Sequence, residues 1–322
     1  MQHDDVAVTA VGLVTPLGLT AQSSLQGWCD GRKAQRRVVA ELQGTQLEGF
    51  QAGVLDAFDA AARVGNRRML KFMSFAATLG AAAAHEAMAT AAVRKRFDPA
   101  RVGLFAGTGL AAAGIDEVRP MIERSIEDGR FSCRLLGTEG LAATNPLLSF
   151  RILANMPACI ISILEGIQGP NLIFTPWEGQ TGAALAEAWE AVASGEVDCA
   201  LAGGADQPAH PATLVFLRRM GMLGPDEYPS PGAGYVVMER ASTASRDGIP
   251  ILARIRAMHV RSVRDGATAA GSDPLSARMG RTFAAAPGIL VGLACLGAKV
   301  EPRVWGADAQ ALSFELEAEG QP

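Results

Sequence analysis

The stretch "GPNLIFTPWEGQTGAALAEA", residues 169–188, decides how the rest of the chain is read. A short apolar run, Asn171 to Phe174, enters the turn Thr175-Pro176-Trp177-Glu178-Gly179-Gln180 and leaves it into an Ala-rich helical stretch. Strand, tight turn and helix in that order are the arrangement that displays a nucleophile at a helix N-terminus. The apex here carries neither Cys nor Ser; it carries Glu178. In the stretch that follows, Ala183, Ala184, Leu185, Ala188 and Val192 fall on a packed side and Glu187 and Glu190 on a wet one, with Gly195 as the C-terminal stop.

Composition bounds the alternatives. The 322 residues suffice for one large or two ordinary domains, and 49% hydrophobic with 19% charged residues describe a packed globular chain. Aromatic residues make up only 6%, so small residues must do much of the packing. A net charge of -4 and a pI near 5.7 give no electrostatic reason to expect nucleic acid or an anionic membrane as partner. The basic pieces "GRKAQRR" (31–37) and "VRKR" (93–96) are short and read as solvated surface. Cys29, Cys133, Cys159, Cys199 and Cys295 are scattered, odd in number and without a CxxC pair, which predicts reduced thiols and neither a disulfide framework nor a metal site. The opening "MQHDDVAVTA" lacks a signal-type apolar run, and no 18 apolar residues occur together. A cytoplasmic protein is expected.

Short apolar strands alternate with longer helical stretches, the pattern of a layered α/β fold. Strands are expected over residues 6–16, 101–109, 197–206, "YVVMER" (235–240) and "ILARIRAMHV" (251–260), the last two joined by a short polar link. Helices are expected over 21–30, over 69–92, which is apolar or small on all sides and so buried, over 145–166, and over 275–285. Near the C-terminus "ALSFELEA" (311–318) is the candidate last strand. The glycines of "GTGLAAAG" (107–114) lack the G-x-G-x-x-G spacing and no phosphate loop occurs, so no nucleotide cofactor is expected.

Taken in order, six pieces resemble the β-ketoacyl synthase family of the thiolase superfamily. They are "VAVTAVGLVTPLG" (6–18), "RRMLKFMSFAATLGAAAAHEAM" (67–88), "GLFAGTG" (103–109), "ANMPACIISILEGIQGPN" (154–171), "SGEVDCALAGGAD" (194–206) and "PGAGYVVMERASTASRDGIPILARI" (231–255). The resemblance implies a doubled βαβαβαββ fold of five layers around buried central helices. It divides the chain into a synthase-like half, 1–240, and a shortened second half, 241–322. It also implies pairing as a homodimer or as a heterodimer with a ketosynthase-like subunit, with acyl carrier protein as a further partner.

By the same resemblance Glu178 occupies the family's nucleophilic Cys position, inside a degenerate turn of Trp177, Glu178, Gly179 and Gln180. A carboxylate suits a helix N-terminus, but acylating it would give a reactive anhydride, so no catalytic residue is assigned. Cys159 and Cys199 read as small core hydrophobes. None of His3, His85, His210 and His259 lies in a His-Gly-Thr or Gly-His sequence of the family's kind. The family's Gly-Phe gate is missing as well, since residues 223–234 are compressed. The expectation is a catalytically inactive partner subunit resembling a chain-length factor, with Trp177 and Glu178 near the subunit interface and Trp177 filling the acyl pocket or simply the core. A polypeptide-binding adaptor, as in a secretion system, and an enzyme using Glu178 as general base are the other readings.

Overall fold

The computed structural model describes residues 5–110, 113–224, 226–262, 274–306 and 310–318. Eight strands form one mixed sheet: β1 (Val6–Val14), β2 (Val102–Thr108), β3 (Asn171–Phe174), β4 (Cys199–Asp206), β5 (Gly232–Arg240), β6 (Ala253–Ser262), β7 (Arg303–Trp305) and β8 (Gln310–Ala318). Their order across the sheet is β7-β8-β6-β1-β5-β4-β2-β3. β2 runs parallel to β3 and β4, whereas β5 is antiparallel to both β4 and β1. The principal helices are α1 (Ala21–Cys29), α2 (Phe75–Thr90), α3 (Met156–Glu165), α4 (Glu178–Ser194), α5 (Pro211–Arg219) and α6 (Ala286–Cys295).

Every residue of β1 and β4 is buried, as strands covered on both faces must be. Alternate residues serve opposite layers: Ala10 and Val14 face a core shared with α2 and α3, while Val11 and Leu13 face one shared with α4 and α6. The alanine run of α2 follows from that position. Ala77, Ala83, Ala84 and Ala87 are fully buried, and a helix lying against β1, β4, β5 and α3 has no room for larger side chains. α6 comes closer still, since a Cβ at Gly288 would lie 2.1 Å from the carbonyl oxygen of Gly234 in β5.

The second half attaches by continuing the same ladder. β6 pairs antiparallel with β1 through only Val6–Ile255, Ala7–Arg254 and Val8–Ala253, then runs beside β8 along Ala253 to Ser262. A register shift between Ile255 and Ala257 marks where the two ladders part. α4 contacts β2 and β4 on one side and β6 and β8 on the other, so the helix that follows the odd turn is central to the layers. The expected central helices are therefore present, and among the described residues after 240 lie three strands of the sheet and α6.

Several expectations need correction. The stretch 145–166 is two helices, Leu148–Ile152 and α3, separated where Pro157 cannot donate to a continuing ladder. The helix expected over 69–92 begins at Phe75, because the Ser74 hydroxyl accepts from the Ala77 N–H and sets a new N-cap. The link after β5 folds as a short helix, Ala241–Arg246. Residues 275–285 hold only short turns, and the long helix lies in the apolar run that follows. "VRKR" is not all solvated surface: Arg96 is largely buried, donates to both carboxylate oxygens of Glu239 and reaches Asp247. Most of "DGATAAGSDP", as well as His3, lies outside the described residues.

The approach of α6 to β5 yields a direct test. Gly288→Ala should destabilise the protein by about 1–3 kcal/mol or more through backbone displacement, read as a lower urea midpoint with an unchanged m-value.

Candidate functional site

The strand-to-helix turn is built as expected. β3 ends at Phe174, the Thr175–Pro176 peptide is cis, and Trp177 is the N-cap of α4 with φ of 77°. A side chain rarely adopts that conformation, and it costs roughly 1–3 kcal/mol unless the surroundings hold it. Here they do: the Trp177 ring stacks on Phe216 of α5 at 5.9 Å and meets the edge of Phe283 at 5.6 Å. Phe283 itself has φ of 41°. Two backbone positions under strain thus brace one another across the turn, in a cluster that includes Leu42, Leu47, Leu214 and Leu217.

Glu178 opens α4 with its side chain fully shielded from solvent at 0% exposure, and Arg281 beside it is 7% exposed. Arg281 Nη2 donates to Glu178 Oε1 at 2.6 Å, and its Nη1 donates to Glu227 Oε1 at 3.3 Å. The guanidinium also lies over the Phe283 ring, 4.9 Å from its centroid. Gly179 is buried and Gln180 half-buried at the start of the same helix. Thr181, one turn in, donates through Oγ1 to the Ala284 carbonyl at 2.7 Å. Residues 281–284 of the second half are therefore fastened to the first turn of α4 at two points.

A second carboxyl joins the cluster. Asp206, at the end of β4, accepts from the Ala284 N–H at 3.2 Å and is almost wholly buried. Burial pushes its pKa up to about 7, with the Glu178 charge adding to the rise, while hydrogen bonds from the Ala284 and Gln207 amides oppose it. Only glycine fits opposite: a Cβ at Gly109 would lie 1.9 Å from Asp206 Oδ1. That contact gives the glycine-rich turn of 107–114 a packing explanation.

The other residues singled out in the sequence lie elsewhere. Cys199 is buried in β4, and burial holds its thiol well above the ordinary range, as fits a core position. Cys159, expected in the core, is only half-buried, on α3. His85 projects from α2 and pairs through Nδ1 with Glu165 Oε1 at 3.0 Å. His210 caps α5, and burial lowers its pKa. His259 sits on the exposed side of β6. None of the three hydrogen-bonds Glu178 among the described contacts. Among the described residues no group of three His, Cys, Asp or Glu is arranged to hold a metal ion, and no helix is long and apolar enough to cross a membrane.

Sequence reading missed Arg281 and Asp206. A signal existed for the first, because an arginine between Gly280 and Thr282, just before a wholly apolar run, needs a buried anion. A concave surface of about 280 Å³ is bounded by Thr108, Gly109, Ala154, Pro157, Gln207 and His210 among others, beside Asp206 rather than Glu178. The arrangement at the turn holds two segments of the chain together through Glu178–Arg281 and Thr181–Ala284.

Two outcomes follow from this geometry. Arg281→Met should cost about 3–5 kcal/mol, since it strands a buried carboxylate, and adding Glu178→Gln should recover much of that loss; chemical denaturation of the double-mutant cycle measures both. Asp206 titrates at 3.8 when unfolded and about 7 when folded, so the folded state holds the proton more tightly. Its contribution is fully present below pH 3.8 and is lost as pH rises towards 7, so the difference in stability between wild type and Asp206→Asn should change across that window and level off above it.

Comparison with known proteins places this geometry. Residues 3–249 match the family model described as the N-terminal domain of β-ketoacyl synthase. Nodulation protein E of Rhizobium meliloti (strain 1021) is 28% identical over 264 residues, which are 78% of this chain and 61% of that protein. 3-Oxoacyl-[acyl-carrier-protein] synthase 2 of Vibrio harveyi is 24% identical over 273 residues, 79% of this chain and 62% of that one. The chain thus spans less than two thirds of the length of these relatives. Among solved structures, the ishigamide ketosynthase/chain length factor superposes with a TM-score of 0.74 at 16% identity, covering 99% of this chain and all of that one. A β-ketoacyl synthase from Burkholderia phymatum STM815 gives 0.65 at 20% identity over 83% of this chain and 66% of that one. With a mixed α/β fold of thiolase type and the family model matched over most of its length, the chain belongs to the β-ketoacyl synthase family.

Proposed function

We propose that this protein is a non-catalytic ketosynthase-like subunit that works beside an active ketosynthase in fatty-acid or polyketide-type assembly. The observation that carries the reading is the buried Glu178–Arg281 pair. Condensation requires a thiolate at the tip of this turn and a nearby imidazole. By the family resemblance Glu178 stands in the nucleophile's place, and no histidine hydrogen-bonds it among the described contacts. On this reading a carboxylate and a guanidinium that meet for cohesion take the place of groups that would meet for chemistry. Trp177, packed on Phe216 and Phe283, occupies space beside the turn. A general-base role for Glu178 is disfavoured by its complete burial against a cation.

Pairing through the first half supports the subunit reading. β3 is an edge strand, which leaves one row of backbone groups open to a partner strand. Beside it α3 is tied to β3 through Asn171 Nδ2 donating to Ser162 Oγ at 2.6 Å, and Ile163 and Leu172 are exposed by 66% and 43%. Apolar exposure next to an open strand is what an obligate partner would cover. A structural neighbour is itself described as a type II PKS acyl-carrier protein in complex with its ketosynthase, which makes carrier protein a fitting third component here. A polypeptide-binding adaptor is the second reading, favoured by the reduction of the second half to three strands and few helices.

Co-expression with an intact ketosynthase from the same organism should give a complex on size exclusion that Ile163→Glu with Leu172→Glu abolishes. Incubation with acyl thioesters should leave every cysteine of this chain unmodified by intact-mass measurement. A stable homodimer that ignores ketosynthases and acyl carriers, or an acyl adduct on this chain, would overturn the proposal.

A further inference from the structure

α5 separates two environments. On one side Phe216 stacks on Trp177 and so belongs to the closed turn. On the other, Val215, Arg218 and Arg219 face the loop Glu41 to Leu47 across a groove of about 640 Å³, within the ~300–1,000 Å³ range of small-molecule sites. Half-buried Ile115, exposed Ala212 and Val215, 41% exposed, supply its apolar surface, while Leu42 and Leu47 are buried beneath it. Ordinary solvated helix surface does not combine a shaped apolar trough with paired cations at one end.

The charges are arranged along the groove. Arg218 and Arg219 lie in the last turn of α5, and among the described residues neither has an ion-pair partner. Glu41 raises the proton affinity of His210, which caps the other end of the helix, and so belongs near that end. From His210 to Arg219 the helix rises roughly 13 Å at 1.5 Å per residue, so the two guanidiniums are not neutralised by the one acid in the lining. An anion at the arginine end keeps its chain against the apolar walls and its charge beside two cations.

We propose that this groove binds a single-chain amphiphile with an anionic head, its head group at Arg218 and Arg219 and its hydrocarbon along Ile115, Ala212 and Val215. A trough of this volume accommodates one chain; a protein helix with side chains is about 10–12 Å across and would need a longer, more open face. Neither Trp177 nor Glu178 lines the groove, although Leu42 and Leu47 beneath it also pack in the Trp177 cluster, and amphiphile binding is read independently of ketosynthase pairing.

The test uses the full chain and the fluorescent amphiphile 11-(dansylamino)undecanoic acid, displaced by decanoate or by 1-decanol. Decanoate should displace it about tenfold more effectively than the neutral alcohol, a difference that Arg218→Gln with Arg219→Gln should erase. Val215→Trp, which fills the trough from an exposed position, should weaken both competitors while circular dichroism stays unchanged. Equal potency of decanoate and decanol, an unaltered preference in the double-Gln variant, unaltered binding in Val215→Trp, or displacement only by an acidic helical peptide would each overturn the assignment.

Discussion

A carboxylate and a guanidinium removed from water are tolerable only in each other's company, and Glu178 and Arg281 find that company across 103 residues of chain. The pair fixes where residues 281–284 lie, and through them where α6 begins. Thr181 on Ala284 and Asp206 on the same residue's amide fasten the segment from two further directions. α6 can then settle on β5 with backbone against backbone at Gly288 and Gly234. The ionic contact and these two hydrogen bonds together set the register of the small-residue packing.

The same cluster explains how this strand, turn and helix are held in place. A strand, a turn at positive φ and a helix N-terminus are expensive to maintain, and here the strain at Trp177 is held by aromatic packing. Electrostatics is reused as well. The helix N-terminus that would stabilise a thiolate favours the Glu178 carboxylate for the same reason.

Much of this was legible in the sequence because it rests on local pattern. Buried strands read as apolar runs, α2 as an alanine run that is buried along most of its length though exposed at Phe75, His85 and its C-terminal end, and Gly195 as a helix stop; the turn at Trp177-Glu178 was placed correctly from the strand and helix on either side of it. What escaped depends on partners far apart in sequence. Glu178 and Arg281 are 103 residues apart and Asp206 and Ala284 are 78 apart, and no periodicity links them. The break before α3 and the late start of α2 were missed for another reason: in each, one capping or proline residue overrode an otherwise continuous apolar pattern.

The narrow attachment of β6 to β1 has a dynamic consequence. Three residue pairs join the second half to the sheet, against the long ladders within each part. Beyond those three pairs β6 and β8 are held by side chains, with Ile255, Met258, Leu312 and Phe314 in the core shared with α4 and α6. Local opening of β6, β8 and β7 therefore breaks side-chain packing and few backbone hydrogen bonds to the rest of the sheet, and their amides are expected to exchange with solvent earlier than those of β1, β4 and β5.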